Sequence, residues 1–369
     1  MWKILLIILA LVVLAISLTY YKSPSKKTDS LTPRETVVPA TTSSTKVPKM
    51  KEIAQNLEVP WALAFLPDGS ILVTERKGNI RLVDKDGKLQ PQPIATISVK
   101  QTGESGLHGI ALHPKYPQQP YVYIYYTYSA GGDNSLNRVS RFVFDGTALT
   151  EEKIIVDQIP GAVFHDGGRI KFGPDGYLYI TTGDALNPSL AQNTNSPAGK
   201  ILRVTDEGQA VGSNPFNNLA YSYGHRNPQG IAWDNQGRLW ETEHGQTATD
   251  EVNLIEMGKN YGWPEIRGDQ SRTEMERSKL HSGSQTWAPA GLAFYNGSLF
   301  FGGLRGQALF QLDTNTLELK THFKGEFGRI REVILGPDNM LYVTTSNRDG
   351  RGNPSSNDDR IIRIDPKQL

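Results

Sequence analysis

One phrase recurs six times along this chain of 369 residues, a polar turn followed by a short strand of alternating apolar residues. A second strand precedes each turn, as in WALAFLP, GRIKFGP and QGIAWD. The turns are marked, at steps of 41 to 62 residues, by Pro67, Pro114, Pro174, Asp234, Asn296 and Pro337. Two strands joined by a short turn form a β-hairpin, and no convincing helical pattern separates the hairpins. The chain is therefore a series of repeated hairpins.

Repeats of this length that consist only of strands and turns are typical of the blades of a β-propeller. Two independent β-sandwiches would give a similar strand spacing, but they would not repeat the same phrase six times. We therefore predict an all-β, six-bladed β-propeller. The loops of all blades surround one axis in this fold, so polar residues that are distant in the sequence can meet at a single opening.

Composition restricts what this propeller can do. The chain has no cysteine, which excludes disulfides, thiolate metal sites and a cysteine nucleophile. Residues 52–369 contain 31 Lys and Arg against 36 Asp and Glu. Nucleic acid is therefore not an expected partner, because phosphate binding needs a basic face.

The first 51 residues differ from the rest of the chain. Residues 1–21 include an apolar run of about 18 residues, a length that fits either a signal peptide or an N-terminal membrane anchor. Residues 22–51 are rich in Ser, Thr, Pro and Lys and predict a disordered linker. We expect an extracytoplasmic propeller domain at residues 52–369, in the periplasm or on the outer face of the cell membrane. It would be secreted, or tethered to the membrane only through the N-terminal segment.

The segment HDGGRIKFGPDGYLYITTGD carries a candidate general base. It begins at His165 and ends at Asp184, and its Gly-Pro-Asp-Gly turn would return Asp184 to the side of His165. A carboxylate that orients an imidazole gives a base able to take a hydroxyl proton near neutral pH. A single loop histidine is also common as an ordinary surface residue, so spacing alone leaves both interpretations open.

Two further sets of loop residues could bind ligands. Arg226, Arg305, Arg329 and Arg331 lie beside glycines or within blade phrases. If these guanidinium groups converge, they need an anion with several carboxylates or phosphates among them; otherwise they are surface arginines. No P-loop or dinucleotide-binding glycine motif is present. Residues 243–251 offer oxygen ligands for a hard cation such as calcium, or they form a solvated acidic turn.

These residues lie in motifs that resemble a known family, the soluble-type, PQQ-dependent aldose sugar dehydrogenases, also called glucose/sorbosone dehydrogenases. The resemblance covers about residues 52–366 and rests on VPWALAFLPDGSILVTER, GLHGIALHP, HDGGRIKFGPDGYLYITTGD, GKILRV, YGHRNPQGIAW, DEVNLIEMGKNYGWP and GRIREVILGPDNMLYVTT. Members of the family are six-bladed propellers, in agreement with the repeat count. The resemblance implies that an aldose is oxidised at C1 to the lactone, with hydride transfer to pyrroloquinoline quinone (PQQ) and electron transfer to an external acceptor.

The resemblance also assigns roles to individual residues. It makes His165 the general base and Asp184 the carboxylate that orients it. It places Arg226 over the reactive carbonyl of the quinone, with Asn227 as a neighbouring cofactor contact. The remaining implied positions are Arg329 and Arg331 for the PQQ carboxylates, the backbone carbonyls of Gly245 and Gln246 for a catalytic Ca²⁺, and Glu251 and Tyr261 for a second, structural Ca²⁺.

Two cofactor positions depart from the family pattern. Arg305 stands where the best-studied members have a lysine, and Glu104 stands where they have a glutamine. A carboxylate beside an anionic quinone repels it unless the carboxylate is protonated or paired. Two alternatives therefore stay open, a metal-dependent propeller lactonase or other hydrolase, and a non-catalytic propeller that binds carbohydrate or protein. We expect a monomer or a dimer.

Overall fold

In the computed structural model, which describes residues 49–369, each repeated hairpin forms the first two strands of a four-stranded antiparallel sheet. There are six such sheets among these residues. The first strands of successive sheets pack side by side around a common axis. The prediction of an all-β, six-bladed propeller is confirmed. The predicted N-terminal segment and most of the predicted linker lie outside the described residues.

The strands follow the blades in chain order. Blade 1 contains β2 (Pro60–Phe65), β3 (Ile71–Glu75), β4 (Asn79–Val83) and β5 (Ala95–Thr96). Blade 2 contains β6 (Leu107–Leu112), β7 (Tyr121–Ser129), β8 (Ser135–Phe144) and β9 (Leu149–Gly161). Blade 3 contains β10 (Ile170–Phe172), β11 (Leu178–Thr182), β12 (Lys200–Val204) and β13 (Ala220–Tyr223).

The second half of the ring has the same construction. Blade 4 contains β14 (Pro228–Trp233), β15 (Leu239–Glu243), β16 (Glu251–Ile255) and β17 (Leu280–His281). Blade 5 contains β18 (Pro289–Tyr295), β19 (Ser298–Gly303), β20 (Ala308–Asp313) and β21 (Leu319–His322). Blade 6 contains β22 (Ile330–Leu335), β23 (Leu341–Thr345), β24 (Ile361–Ile364) and, as its outermost strand, β1 (Met50–Ala54).

Strand β1 closes the ring because the N-terminal end of the domain completes the last blade. It pairs with β24 through the register Met50↔Ile364. The first strand of the domain therefore begins at Met50, two residues before the predicted domain boundary at residue 52. The described residues also include a four-residue helix, α1 (Ser189–Gln192), and a terminal 3₁₀ turn, Pro366–Gln368. No helix within residues 49–369 is long and apolar enough to cross a membrane.

The aspartates of the repeated phrase form the hairpin turns. The side chains of Asp68, Asp175, Asp234 and Asp338 each accept a hydrogen bond from the backbone N–H two residues later. Such Asx turns stabilise a reversal of the chain between two strands. Because these turns lie at one end of each hairpin, the residues that begin and end the hairpin lie together at the other end.

The hydrophobic core lies between the blades. The buried apolar residues form six clusters in the described chain, and each cluster joins two adjacent blades. Strands β3, β11, β15 and β23 are buried along their whole length, whereas the outer strand β9 is largely exposed. This packing fixes the inner strands and so holds the loops at their ends in place.

Candidate active site

A cavity of about 530 Å³ opens at the end of the propeller opposite the Asx turns. It is formed by loops from every part of the ring, which brings together residues that the sequence keeps far apart. Its lining residues are Glu104, Phe164, His165, Arg226, His244, Gly245, Gln246, Thr247, Asp250, Thr286, Ala288, Leu304, Arg305, Arg329 and Arg351. Seven of the predicted site residues therefore face one space: Glu104, His165, Arg226, Gly245, Gln246, Arg305 and Arg329.

His165 and Asp184 form the expected pair. His165 Nδ1 lies 2.7 Å from Asp184 Oδ1, and the Asp184 side chain is buried behind the imidazole. The carboxylate also accepts hydrogen bonds from the Trp263 indole N–H, at 2.8 Å, and from the Leu186 N–H, at 2.9 Å. Since this carboxylate acts as an acceptor, Nδ1 of His165 carries the proton. The lone pair of Nε2 is then available to a substrate in the cavity.

The backbone of His165 lies in the left-handed region, at φ 64°. This conformation is uncommon for a residue with a side chain and is found where the surrounding structure enforces it. Gly183, directly before Asp184, approaches this backbone closely. A Cβ atom on Gly183 would lie 1.8 Å from the His165 carbonyl oxygen, so only glycine allows the end of β11 to pass this close to the histidine.

Arg226 links the dyad to the predicted metal loop. Its Nη1 donates to the carbonyl oxygens of His244, at 3.1 Å, and Gly245, at 2.7 Å. Its guanidinium lies 5.2 Å from the ring centroid of Trp263, the residue that holds Asp184. Trp263 is thus a candidate site residue that spacing did not reveal. The only sequence signal for it was its position in the NYGWP motif, where a tryptophan also reads as ordinary core.

The loop at residues 244–250 is held by a carboxylate. Asp250 Oδ1 accepts a hydrogen bond from the Gly245 N–H at 2.9 Å, and its Oδ2 accepts from the N–H groups of Trp287 and Ala288. The Gly245 carbonyl points toward Arg226, and a carbonyl oxygen has a second lone pair for a cation. His244 Nε2 donates to the Pro289 carbonyl at 2.9 Å, so its role is to join blades 4 and 5.

The arginines differ in how much of their hydrogen-bonding capacity is free. Arg329 donates to Asp349 Oδ2 through Nε and Nη2, at 2.9 and 2.7 Å, and its charge is thereby neutralised. Arg331 does not line the cavity. It is buried, donates to Gln229 Oε1 at 2.8 Å, and burial lowers its pKa to about 9. Asn227 is also buried below the lining residues, with its Oδ1 accepting from the Gly167 N–H.

Several buried donors at this end of the axis have no partner in the described part of the chain. They include Arg76 Nε, Arg226 Nε, Asn227 Nδ2 and Arg331 Nε. An unpaired buried N–H is unfavourable, and native proteins rarely leave one without a ligand or water. These atoms lie beneath the surface, whereas the cavity itself is lined by four arginines, a set of donors that suits a planar anion with several carboxylates. The residues present therefore fit PQQ.

Glu104, the position that raised doubt about an anionic cofactor, is paired. Its Oε1 accepts a hydrogen bond from Arg351 Nη1 at 2.8 Å. Burial opposes ionisation of this carboxyl, but neighbouring positive charges, including those of Arg351 and Arg331, hold its pKa below the usual range. Burial also lowers the pKa of His244, so that imidazole is neutral at pH 7 and the two arginines supply the compensating charge. Arg351 carried no sequence signal.

A second group of carboxylates lies beside the cavity, inside blade 4. Asn253 Nδ2 lies 3.1 Å from Glu241 Oε2, 3.3 Å from Glu243 Oε1 and 3.4 Å from Glu251 Oε2. Burial and the charge of Glu243 raise the pKa of Glu251 to about 8, and the same two causes raise the pKa of Glu241. Carboxyls brought together in this way favour either protonation or a bound cation.

Glu251 and Tyr261, the predicted ligands of a second Ca²⁺, line one small cavity together with Glu243. The Tyr261 hydroxyl donates to the Leu254 carbonyl at 2.7 Å and accepts from the Glu256 N–H at 2.8 Å. Both hydrogen-bonding functions of the phenol are therefore used within the fold. This leaves the main-chain carbonyl oxygen of Tyr261 as the group that could bind a cation. Ligand atoms of His225, Glu241 and Glu243 also lie within 4.8 Å of one another.

Comparisons with known proteins agree with this geometry. A model of the Glucose / Sorbosone dehydrogenase family matches residues 57–362. The aldose sugar dehydrogenase YliI of Escherichia coli K12 is 32% identical over 340 residues, which cover 81% of this chain and 90% of that protein. The fold is similar to that of a Thermus thermophilus oxidoreductase described as a glucose dehydrogenase, with a TM-score of 0.81 and 46% identity over 85% of this chain and 99% of that one.

A second solved structure is that of an aldose sugar dehydrogenase from Streptomyces coelicolor in its PQQ-bound form. It has a TM-score of 0.79 and 38% identity, and the match covers 85% of this chain and 96% of that one. The family match spans almost the whole described domain, and it includes the hairpin of His165 and the loops that line the cavity. The chain therefore belongs to the glucose/sorbosone dehydrogenase family of oxidoreductases.

Proposed function

We propose that this chain oxidises an aldose sugar at C1 to the lactone, with PQQ and Ca²⁺ as cofactors and an external electron acceptor. The observation that carries the proposal is the His165–Asp184 pair, at 2.7 Å, on the wall of a cavity that also presents four arginines. The PQQ-bound form of the Streptomyces coelicolor relative supports the choice of cofactor.

His165 acts as the general base in this proposal. Its Nε2 accepts the proton of the anomeric hydroxyl while Asp184 holds Nδ1 and stabilises the imidazolium that forms. The proton then passes to solvent, because the histidine side chain keeps 14% of its surface exposed whereas Asp184 keeps 1%. PQQ, when bound, supplies the hydride acceptor and the redox chemistry.

The arginine side chains and Asn227 hold and orient the cofactor. Arg226 lines the cavity and has an unpaired donor, Nε, whereas Asn227 and Arg331 are buried and do not line it. Arg305 is exposed at the cavity wall and adds a positive charge there. Arg329 contributes less charge than the sequence suggests because Asp349 already neutralises it. Binding at these positions would use hydrogen bonds that the protein alone cannot complete.

Two groups of oxygen atoms would hold the calcium ions. Gly245 and Gln246 line the cavity, and their carbonyls would hold a cation that stabilises negative charge developing on a bound carbonyl oxygen. Glu251 and Tyr261, with Glu243 beside them, would form the donor set of the second site. The buried carboxyls of Glu241 and Glu243 and the half-buried carboxyl of Glu251 surround Asn253 and need a cation or protons, so the second ion would stabilise blade 4.

The test uses the full chain purified without cofactor. Addition of PQQ and Ca²⁺ should start the reduction of an electron-accepting dye by glucose or another aldose, with lactone as product. His165→Ala should lower kcat by a factor of about 10²–10⁴, the usual contribution of a general base. No cofactor-dependent turnover, or equal rates for wild type and H165A, would contradict the proposal. Lactone hydrolysis with Ca²⁺ alone would indicate the hydrolase, and sugar binding without PQQ uptake would indicate a non-catalytic propeller.

We further propose an extracytoplasmic location, supported by the apolar composition of residues 1–21 and by the need for an external electron acceptor. Protease added to intact cells that express the chain should cleave the propeller only if it lies outside the inner membrane, once any outer membrane has been made permeable. Protection under those conditions would contradict the proposed location.

A further inference from the structure

Three loops from different blades meet at one side of the cavity, around Arg351. The Arg351 guanidinium donates to Glu104 Oε1 at 2.8 Å and lies 5.5 Å from the ring centroid of Phe164, the residue before His165. The Glu104 N–H donates to the Val163 carbonyl at 2.8 Å. The loops that carry Glu104, Phe164 and Arg351 therefore form one structure next to the candidate base.

Arg351 is itself held in position. Its N–H donates to Asp349 Oδ1 at 2.9 Å, and Asp349 is anchored by the buried Arg329. The Arg351 side chain is 45% exposed, and Glu104 is its hydrogen-bond partner in the described chain. A guanidinium has five N–H donors in a fixed plane, so one contact leaves most of them available to a ligand. The contact with the Phe164 ring restricts the orientation of that plane.

The charge balance of the cavity gives this arginine a function. Glu104 is a carboxylate that faces the space assigned to an anionic ligand, and Arg329 cannot offset it because its charge is taken by Asp349. Without a partner, Glu104 would repel carboxylates in the cavity. Arg351 removes that repulsion, and as a lining residue it has further donors at the same space.

We propose that Arg351 is a ligand-binding residue of the cavity, which neutralises Glu104 and binds a carboxylate of PQQ. The inference rests on the proposed function for the identity of the ligand. An uncharged side chain at position 104 would not repel an anionic ligand. In this chain the Arg351–Glu104 pair has the same effect, because the two charges cancel. The two residues must then be tested together, because the effect of removing one depends on the other.

The experiment is a titration of the calcium-loaded full chain with PQQ. Binding is monitored by the quenching of tryptophan fluorescence and measured independently by equilibrium dialysis. We expect Arg351→Ala to raise the Kd by about ten- to hundredfold, the value of one charge-assisted hydrogen bond with loss of charge compensation. Glu104→Gln alone should bind PQQ at least as tightly as wild type. The double variant should recover most of the affinity lost in R351A, because no uncompensated carboxylate remains.

Arg363→Ala is the matched control. Arg363 donates to Asp338 Oδ2 at 2.7 Å, at the turn end of blade 6 and away from the cavity, so its removal should leave the Kd unchanged. Arg351→Gln is a second, more conservative variant at the same position. Thermal unfolding of each variant shows whether the fold is kept. If wild type binds PQQ and R351A binds it equally well, the role of Arg351 is wrong. If R351A is weak and E104Q does not rescue it, charge compensation is wrong. Failure of wild type to bind PQQ would overturn the proposed cofactor and this assignment together.

Discussion

The hydrogen bond from Trp263 to Asp184 predicts a specific effect on catalysis. The indole N–H is 2.8 Å from Asp184 Oδ2 and both groups are buried. Trp263→Phe removes this donor but keeps an aromatic ring beneath Arg226. The carboxylate that orients His165 then loses one of its two side-chain partners, so the orientation and charge of the dyad change while the cavity lining does not.

The magnitude follows from the type of hydrogen bond. A buried hydrogen bond to a charged group contributes about 1.5–3 kcal/mol, and leaving the acceptor unsatisfied forfeits that amount. Since each 1.36 kcal/mol corresponds to a tenfold change in rate, kcat should fall about ten- to hundredfold. The KM for the sugar should change little, because Trp263 does not line the cavity.

Trp240 provides a matched control within the same chain. Its indole N–H donates to Asp234 Oδ2 at 2.9 Å, and both side chains are buried at the opposite end of a hairpin in blade 4. Trp240→Phe should lower the free energy of unfolding by no more than Trp263→Phe does, because Arg238 also donates a hydrogen bond to Asp234. It should leave kcat unchanged.

The assay compares dye-linked sugar oxidation and denaturant unfolding for W263F, W240F and wild type, with PQQ and Ca²⁺ in excess. In the H165A background, W263F should cause no further loss of kcat, because its effect passes through the histidine. Wild-type kcat in W263F, or an equal loss of kcat in W240F, would refute the reasoning.

The remaining predictions concern the backbone at the base and the buried carboxyls. Gly183→Ala should displace His165, because the new Cβ would lie 1.8 Å from the His165 carbonyl oxygen. We expect the unfolding free energy to fall by about 1–3 kcal/mol and most of the activity to be lost. Gly212→Ala, whose Cβ would meet nothing within 4 Å, should change neither quantity. Burial and Glu243 raise the pKa of Glu251 to about 8, above the value of about 4.3 in an unfolded chain, so the folded state binds more protons between these values and the Tm in EDTA should fall as pH rises from 5 to 8. Ca²⁺ should remove this slope by replacing the protons; a Tm that rises through this window in EDTA would contradict the assignment.

The architecture could be predicted because its determinants are local. The hairpins are set by an apolar alternation and, in four of the six, by a turn aspartate that accepts a hydrogen bond from the backbone N–H two residues later, as Asp175 and Asp338 do. The His165–Asp184 pair was also within reach of the sequence, since both residues belong to one hairpin and lie 19 positions apart. Its geometry follows from the return of the chain through a single turn.

The other contacts of the site join different blades, and local pattern carries no information about them. Trp263 reaches Asp184 over 79 positions, and Arg351 reaches Glu104 over 247. The neutralisation of Arg329 by Asp349 likewise depends on a loop whose shape no propensity specifies. Position in the sequence identified which residue types were present, but the closure of the ring decided which of them meet.

The sequence by itself thus determined the number of blades, the hairpin that carries the base and the membership of the family, because strand alternation, turn chemistry and motif order are properties of short segments. Only the tertiary structure decided that β1 completes blade 6 through Met50 and Ile364, that Glu104 is neutralised, and which donors are left for a ligand. Those features depend on long-range packing between blades, where the distance between two side chains is set by the ring as a whole.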